Sequence, residues 1–460
     1  MAIAPKSRVR GGWLIALITL IDSMSSCWFG YCQGVFAGVL VSPDFKEQFP
    51  QTKNGNVSGI VTSCFLLGAF FGAMLAFVSG DKLGRKKTII MGHILSTWGA
   101  TLQFLSWSLP QMIVGRVING VGVGITSTAS PVFLSECARS HMRGRLLIIG
   151  ASSNVTCFCL ANWISYTLYF RAGPWQWRFP LALQLIFPCI IFPLFPFVTE
   201  SPRWLLLNFR RLLLSCGTQF MQQFSGINAL GFYLPTLLHE NVGGTIYLVA
   251  AFGSLIVIDR VGRRKLMLFG SLGMASCHLI SALCLKAGED HPSQMKTASL
   301  LMPASLPEYE LTCSKLGSVA VSMFIFYHVF FAPTWGGVPW VYAAEINSLG
   351  WRTRGAAAAT ATNWIMGFVV VQFTKVGIDN LQWRFYLILA VICVSFFPIV
   401  LCLYPETARR TLEDMDEIFL HHPSWFVLGN KELTQRERPQ VYVEAEARRI
   451  VMAQAPAADH

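Results

Sequence analysis

Charged residues are scarce in this chain. Asp, Glu, Lys and Arg make up 13% of its 460 residues, whereas soluble proteins carry about 25%. Hydrophobic residues make up 53%. A chain with so little charge and so much apolar sequence is not a soluble globular enzyme. At about 20 residues per membrane-crossing helix, the apolar sequence suffices for roughly twelve helices.

Cysteine pairs with the spacing of a metal site are also lacking. The 13 cysteines are scattered, mostly within apolar stretches, and none forms a CxxC pair, so we interpret them as small core residues. A cleaved signal peptide is not expected, because the first apolar stretch follows Lys6, Arg8 and Arg10 and is too long for one. The net charge of +12 is informative through its distribution. We expect no nucleic-acid partner, no cofactor and no metal.

Apolar stretches define twelve predicted helices in two groups of six. With the N-terminus in the cytosol, roughly three quarters of the 36 Lys and Arg residues fall in segments predicted to be cytosolic. This asymmetry supports twelve spans and two cytosolic termini. We predict an all-α integral membrane protein with one bundle over 1–211, a second over 212–404 and a cytosolic tail over 405–460. The predicted spans are 13–40, 57–79, 88–106, 110–133, 146–170, 178–198, 212–238, 242–258, 266–286, 317–343, 354–375 and 383–404.

Three charged motifs recur in both halves in the same order. Each half has a D-x-x-G-R-[KR]-K loop, then a Glu and an Arg seven residues apart, then an acidic residue after its last span. This order indicates a duplicated six-helix unit. The loops alone could simply fix topology, but together we interpret the charges as an inner gate whose ion pairs form in one conformer and break in the other. The predicted members are Asp81, Arg85, Glu136, Arg143, Glu200, Asp259, Arg263, Arg264, Glu345, Arg352 and Glu406, together with Arg116 within span four.

Amide and indole side chains predict a cavity for an uncharged ligand. Span seven has three amides around Ser225-Gly226, where a helix is expected to bend, and span ten has a second break at Gly336-Gly-Val-Pro-Trp340. Amides both donate and accept hydrogen bonds, as sugar hydroxyls require. The alternative is that these amides join helices and that the tryptophan is an interfacial anchor. The predicted site residues are Gln222, Gln223, Asn228, Trp340 and Asn363.

Taken together, these segments resemble the sugar porter family of the major facilitator superfamily, particularly fungal hexose and pentose transporters. The resemblance covers about residues 10 to 420. It implies two six-helix bundles, alternating access and uptake of a monosaccharide without chemistry on it. It also implies sugar contacts at the five site residues and an outer gate at Phe232 and Tyr233. The matching segments are Phe29-Gly-Tyr31, Asp81–Lys87, Gly115-Arg116, Glu136…Arg143-Gly144, Glu200-Ser-Pro-Arg-Trp204, Gln222–Asn228, Asp259–Arg264, Pro339-Trp340…Glu345…Arg352, Asn363-Trp364 and Pro405-Glu-Thr407.

One position departs from the proton-coupled members of that family. They usually have Gly-Tyr-Asp in span one, and the acid there is the proposed proton carrier, whereas this chain has Gly30-Tyr31-Cys32. A thiol is neutral at ordinary pH, so the sequence favours facilitative transport unless coupling has moved to another acid. Asp22, ten residues earlier, is the only candidate in that span. Its alternative interpretation is an inner-leaflet acid paired with a base.

The connection between the halves is a second departure. The segment from Arg203 to Gln222 must contain both the linker and the start of span seven, whereas relatives usually have a much longer cytosolic helical segment. Arg409 also replaces the Gly of the usual closing motif. A natural deletion, a splice product and an erroneous gene model fit equally well. Two alternatives to a transporter stay open. One is a nontransporting sugar sensor, and the other, suggested by the short linker, is an inactive truncated paralogue.

For partners and location, we expect a monomer in contact with membrane lipid, in the plasma membrane, that binds a small-molecule sugar and, if it is coupled, protons. In the tail, residues 411–419 are predicted to form a short amphipathic helix capped by Thr411. The polar, Ala- and Pro-rich sequence beyond that helix predicts disorder.

Overall fold

The computed structural model describes residues 12–138, 142–171, 173–197, 209–228, 237–290, 315–347, 352–422, 424–439, 442 and 444. In these ranges the regular structure is helical throughout. Ten of the helical segments are long and apolar enough to cross a membrane. The helices are α1 Gly12–Val41, α2 Pro43–Gln48, α3 Gly55–Leu83, α4 Arg85–Phe104, α5 Leu109–Cys137, α6 Arg143–Tyr169, α7 Trp175–Leu183, α8 Ile186–Ile191, α9 Phe209–Phe224, α10 Leu237–Val261, α11 Arg263–Asp290, α12 Lys315–Phe331, α13 Val338–Ile346, α14 Arg352–Leu381, α15 Trp383–Leu403, α16 Leu412–His421 and α17 Lys431–Thr434.

Three predicted spans are interrupted helices. Span six consists of α7, α8 and a 3₁₀ segment Phe192–Phe197, and it contains several prolines that remove helix hydrogen bonds. Span ten consists of α12, a π-helical turn Ala332–Gly336 and α13. Span seven begins with α9 and turns at Ser225 and Gly226, where Gly226 has φ +98°. The breaks in spans ten and seven lie at the residues predicted from the sequence. They leave backbone carbonyls available for other hydrogen bonds near the centre of the molecule.

Helices α3 and α5 pack very closely because glycines line their contact. A side chain at Gly120 would overlap the carbonyl of Phe65, and one at Gly124 would overlap the carbonyl of Ala69. Spaced four residues apart, these glycines form one smooth stripe along α5. Within a membrane, such small residues bring helix backbones into van der Waals contact that lipid would not provide.

The two halves meet along two pairs of helices. α14 packs along α3, and α10 packs along α6. An aromatic cluster joins the halves at their centre, where the ring of Trp364 lies 5.1 Å from that of Phe29 and 6.1 Å from that of Phe65. Span seven begins at Phe209, slightly before the predicted division at 211/212, which stays a prediction.

The tail is ordered where we predicted disorder. The capped helix is confirmed, since α16 begins with a reciprocal pair of hydrogen bonds between Thr411 and Asp414. Beyond it, residues 424–439 pack against the second half, with Val427 and Leu433 buried. The backbone of Val427 donates to Cys402 O at 2.7 Å. The disorder prediction is wrong for these residues. Their average composition is polar, but it includes a few apolar side chains that pack against the bundle in the folded protein.

Arginines at the start of α9 bind the tail. Arg210 donates to His422 O at 2.9 Å, and Arg211 pairs with Asp416 and donates to Met415 O at 3.1 Å. The ring of Phe419 lies beneath both guanidinium groups. The tail thus holds the first turn of the second half, directly after the short linker.

Acid should release this tail. Burial alone would raise the pKa of the Asp414 carboxyl, but hydrogen bonds from Arg438 and Thr411 outweigh it and hold the pKa below its ordinary value. A lowered pKa stabilises the packed tail above the ordinary pKa of about 3.9, and this stabilisation is lost as pH falls through the lowered value. We expect a nitroxide at position 435 to become mobile in electron paramagnetic resonance spectra below that pH. Arg438→Gln should give the mobile spectrum already at neutral pH, and an unchanged spectrum in acid would contradict the prediction.

Candidate functional site

A cavity of about 190 Å³ lies between the two halves. This volume is many times the roughly 10–15 Å³ that one water molecule needs. All five predicted site residues line it, namely Gln222, Gln223, Asn228, Trp340 and Asn363. The structure therefore brings together side chains from spans seven, ten and eleven, as the sequence predicted for a sugar site.

Gln222 is held by the break in span ten. Its amide nitrogen donates to Trp335 O at 2.7 Å and to Gly336 O at 3.0 Å, which are backbone groups at the π-helical turn. Its amide oxygen accepts from Asn363 Nδ2 at 2.8 Å. Because both ends of the Gln222 amide are engaged, this side chain fixes the relative positions of spans seven, ten and eleven at the cavity wall.

The break in span seven is stabilised from behind. The carbonyl of Ser225 accepts from Tyr327 at 3.2 Å and lies 3.0 Å from His278 Nε2, and the Ser225 hydroxyl lies 2.9 Å from the Tyr327 hydroxyl. Gly226 takes the left-handed backbone conformation that glycine favours. These contacts satisfy the backbone carbonyl at the turn and allow the chain to redirect.

The turn brings Gln223 and Asn228 together on the cavity wall. The Asn228 amide donates to Gln223 Oε1, whereas a straight helix would separate these two residues by about 140° at 100° per residue. Trp340 is half-buried beside them. This wall offers amide donors and acceptors next to an indole face, a combination that suits the hydroxyls and the apolar face of a sugar ring.

The opposite wall is rich in hydroxyl groups and carries one acid. Its polar residues come from α1, α5 and α6, and none of them except Asp22 was among the residues predicted from the sequence. Runs of small polar residues, Ser25-Ser26 and Thr126-Ser-Thr-Ala-Ser130, were the available signal. Among the described residues, the cavity lining includes no Lys or Arg. The polar residues of this wall are Asp22, Ser25, Ser26, Gln33, Thr126, Ser127, Ser130, Ser152 and Asn154.

Cys32 belongs to an uncharged cluster behind the cavity. Its thiol donates to Gln184 Oε1 at 3.2 Å, and Asn119 Nδ2 donates to the same oxygen at 2.9 Å. All three side chains are buried. The sequence identified Cys32 but not its partners, which come from α5 and the turn after α7. In place of an acid, this cluster has a thiol and two amides.

Arg116 does not belong to the inner gate, and that assignment is corrected. It lies seven residues after the start of α5, about 10 Å from the end opposite the gate. Its guanidinium donates to Val61 O at 3.3 Å and Thr62 O at 3.0 Å and lies 3.8 Å from the Phe36 ring centre. Sequence depth alone did not tell which end of the span it is near, and carbonyl oxygens and aromatic rings replace the expected carboxylate.

The second-half members of the predicted gate form a connected network. Arg263 pairs with Glu345 at 2.9 Å and with Asp259 at 3.0 Å. Glu406 accepts from the backbone nitrogens of Arg263 and Arg264 at the first turn of α11, where a helix N-terminus favours negative charge. The Arg264 side chain donates to a backbone carbonyl, Leu401 O, at 2.7 Å.

The first-half members are less completely described. Arg85 pairs with Glu136 at 3.3 Å, and Arg143 donates to Ser135 O at 2.9 Å. Arg352 of the second half is buried and donates to Asn347 O. The predicted residues Glu200, Phe232 and Tyr233 and the side chain of Asp81 lie outside the described part of the chain.

A contact between the halves lies on the cytosolic side. Arg145 of α6 pairs with Asp259 of α10 at 3.0 Å, and a side chain at Gly144 would overlap Arg263. The predicted gate charges and this close approach therefore lie at the same face. Arg145 was not among the gate residues predicted from the sequence, although it lies two residues after the recurring Glu–Arg pair.

Removing the Arg145 charge should have a small effect. The side chain is 65% exposed, and exposed ion pairs contribute about 0.2–1 kcal/mol. We expect Arg145→Ala to increase the open population at most about fivefold, and high salt should produce a similar change in the wild type. The measurement is the electron–electron resonance distance between spin labels at Met142 and Val261, after replacement of native cysteines. A shift that is larger and salt-independent would contradict this prediction.

Comparisons with known proteins agree with the sequence resemblance. A family model described as "Sugar (and other) transporter" matches residues 18–210 and 206–419. The chain is 36% identical to MFS-type transporter oryC of Aspergillus oryzae, over 98% of this chain and 94% of the relative. It is 30% identical to Sugar transporter STL1 of Saccharomyces cerevisiae, over 89% and 82%. A probable quinate permease of Aspergillus fumigatus is also 30% identical, over 90% and 89%.

The solved structures agree on the fold. The proton:xylose symporter XylE bound to 6-bromo-6-deoxy-D-glucose superposes with a TM-score of 0.74 at 22% identity, covering 89% of this chain and all of the other. Two further findings concern the short linker. The two matches to the family model meet at residues 206–210, and the alignment with the Aspergillus oryzae relative spans 523 positions, more than this chain contains. Both are consistent with a segment present in relatives and absent here.

Proposed function

Because this chain belongs to the sugar (and other) transporter family of the major facilitator superfamily, we propose that it carries a monosaccharide, a hexose or a pentose, across a membrane by alternating access. The predicted family and the twelve-helix fold are confirmed. The substrate class, the five binding residues and the plasma-membrane location are proposals. The two bundles, 1–211 and 212–404, would rock about the central cavity, and the tail over 405–460 would stay in the cytosol.

One observation carries the proposal. Amide and indole groups from three broken or polar helices meet at one cavity, opposite a wall of hydroxyl groups. Groups that both donate and accept can replace the water around sugar hydroxyls. A position near the middle of the molecule, between two repeats, is where transporters of this architecture bind substrate.

The cavity favours a neutral sugar over an organic anion. Similarity to a probable quinate permease raises the second possibility, since quinate carries a carboxylate. An anion in a membrane-embedded site needs a positive partner. The described cavity lining has no Lys or Arg that could pair with an anion.

The Cys32 cluster bears on how transport is driven. Cys32, Asn119 and Gln184 are uncharged, so none of them supplies the acid that proton-coupled relatives have at the position of Cys32. This favours facilitative transport, unless another carboxyl in the cavity takes the proton.

Sugar counterflow in liposomes tests the proposed function. Purified protein would be reconstituted with an internal load of unlabelled D-glucose, D-xylose, D-fructose or quinate, and entry of the same labelled compound would be measured. We expect transient accumulation for at least one monosaccharide and none for quinate. Counterflow of quinate alone would overturn the substrate class. Binding without counterflow would favour the sugar sensor, and the lack of both would favour the inactive paralogue.

A further inference from the structure

Among the described residues that line the cavity, Asp22 is the one with an ionisable carboxyl. It lies on α1, ten residues before Cys32, and is only 2% exposed. Its carboxyl contacts the hydroxyl of Ser130 on α5. On the α6 side it faces Gly150, where any side chain would overlap Asp22 Oδ2. Its other oxygen, Oδ1, is enclosed and has no hydrogen-bond partner among the described residues.

None of the described residues that contact Asp22 has a basic side chain. Ser130 and Gly150 are the contacts from α5 and α6, and Ser25 and Ser26 neighbour it on α1. Tyr247 of α10 and His328 of α12 face the same cavity. His328 Nδ1 lies 2.9 Å from the carbonyl of Phe324 on its own helix, so that imidazole is held by its own helix.

A histidine lies behind α1. His93 Nε2 of α4 is 3.0 Å from the Ser25 hydroxyl, which itself donates to Ile21 O at 2.8 Å. Because that hydroxyl has one hydrogen, His93 must be the donor in the other contact. Its ring stacks on Trp28, with centres 5.3 Å apart. The alternative interpretation of Asp22 as an acid paired with a base is thus not what these neighbours show.

A carboxylate in this position needs one positive charge from elsewhere. A negative charge enclosed at this depth, without a basic partner, costs several kcal/mol. Oδ1 is closed off by its surroundings, so an ammonium group or a hydrated ion has no access to it. A proton needs no such space. Among simple cations, the proton therefore fits this oxygen best.

We propose that Asp22 is the proton-binding site of this transporter and that it replaces the acid absent at the position of Cys32. The inference rests on the proposed sugar transport. When the cavity faces outside, a proton from water bonds to the Asp22 carboxylate and leaves it neutral as sugar binds. When the cytosolic side opens, the O–H bond breaks and the proton leaves to cytosolic water with the sugar. One proton thus enters with each sugar.

Gradient-driven uptake tests this site. Liposomes holding the protein would receive the labelled monosaccharide with the fastest counterflow, under an inward proton gradient, an inward sodium gradient or no gradient. We expect the wild type to accumulate sugar several-fold above the external concentration with the proton gradient only. Asp22→Asn should lower this accumulation ratio to one while sugar exchange can still be measured. Glu47→Gln also replaces a carboxylate by an amide, but at an exposed position of α2, and this variant should still accumulate sugar.

Each other outcome has a distinct meaning. Accumulation driven by sodium, accumulation by Asp22→Asn equal to the wild type, or wild-type counterflow without accumulation under a proton gradient would overturn the proton site and leave sugar transport standing. The wild-type measurements decide this even if Asp22→Asn does not fold. Absence of counterflow for every monosaccharide would overturn the proposed function and this inference with it.

Discussion

Gln222→Ala should lower sugar uptake about 100-fold. The substitution removes the partner of the carbonyls of Trp335 and Gly336 and one of the two acceptors of the Asn363 amide, which keeps its hydrogen bond to Gln219 Oε1. Each buried polar group left unpaired costs about 1–3 kcal/mol, and Gly336 and Asn363 line the cavity where the sugar is proposed to bind. We therefore expect the effect mainly as weaker sugar binding, measured as a raised KM for uptake and a raised Kd in equilibrium binding.

The chain offers a matched control for this substitution. Gln103 is a buried glutamine of α4 whose amide donates to the carbonyls of Gly99 and Gly115 at 3.2 and 3.3 Å, and it does not line the cavity. Gln103→Ala should reduce thermal stability and leave sugar affinity near that of the wild type. Equal loss of affinity in both variants would show that Gln222 acts through general stability, and unchanged affinity in Gln222→Ala would remove it from the site.

Glu345→Gln should shift the protein toward the conformer that is open to the cytosol by at least tenfold. Glu345 accepts from Arg263 with both oxygens, at 2.9 and 3.2 Å, and from the hydroxyl of Thr407 at 2.7 Å. Removing one partner of a buried ion pair costs about 3–5 kcal/mol. In the open conformer water can reach the guanidinium, so the loss falls mainly on the closed one.

The same spin labels at Met142 and Val261 measure this shift, as a longer distance population without sugar. Uptake should fall as well, because the cavity returns to the outside less often. Glu432→Gln, which removes a tail carboxylate bonded to Tyr442 and His422, is the control and should leave the distance distribution unchanged. A Glu345→Gln distribution that matches the wild type would show that the network does not control the gate.

The tail contacts the helix ends next to this gate. Arg436 donates to Arg260 O at the turn between α10 and α11. The Glu406 carboxylate accepts from the backbone nitrogen of Arg263, in the first turn of α11, and from that of Thr407 at 3.0 Å. The segment 405–439 therefore contacts the helix ends that hold Arg263. Its packing braces the start of the second half, since Arg210 and Arg211 of α9 bind the tail.

Local features of the sequence sufficed to predict the fold and much of one cavity wall. Span count and orientation follow from local apolar length and basic loops, which depend on the membrane rather than on distant contacts. The breaks at Ser225-Gly226 and Gly336 follow from backbone chemistry at those residues. Once both breaks are known, one can predict that Gln222 and Trp340 line the same cavity.

Tertiary structure alone decided which distant groups meet. The partners of Cys32 come from α5 and the turn after α7. The charged residues of the gate come from both halves, and the residues around Asp22 come from three helices. Arg116 shows the same limit, because hydropathy gives depth within a span but not the neighbours at that depth. The tail shows the same limit for the prediction of disorder, since the burial of Val427 and Leu433 depends on a surface formed by other segments. Hydrophobic length is a local property of a chain, whereas pairing and solvation of a side chain depend on the packed neighbours that only the folded molecule provides.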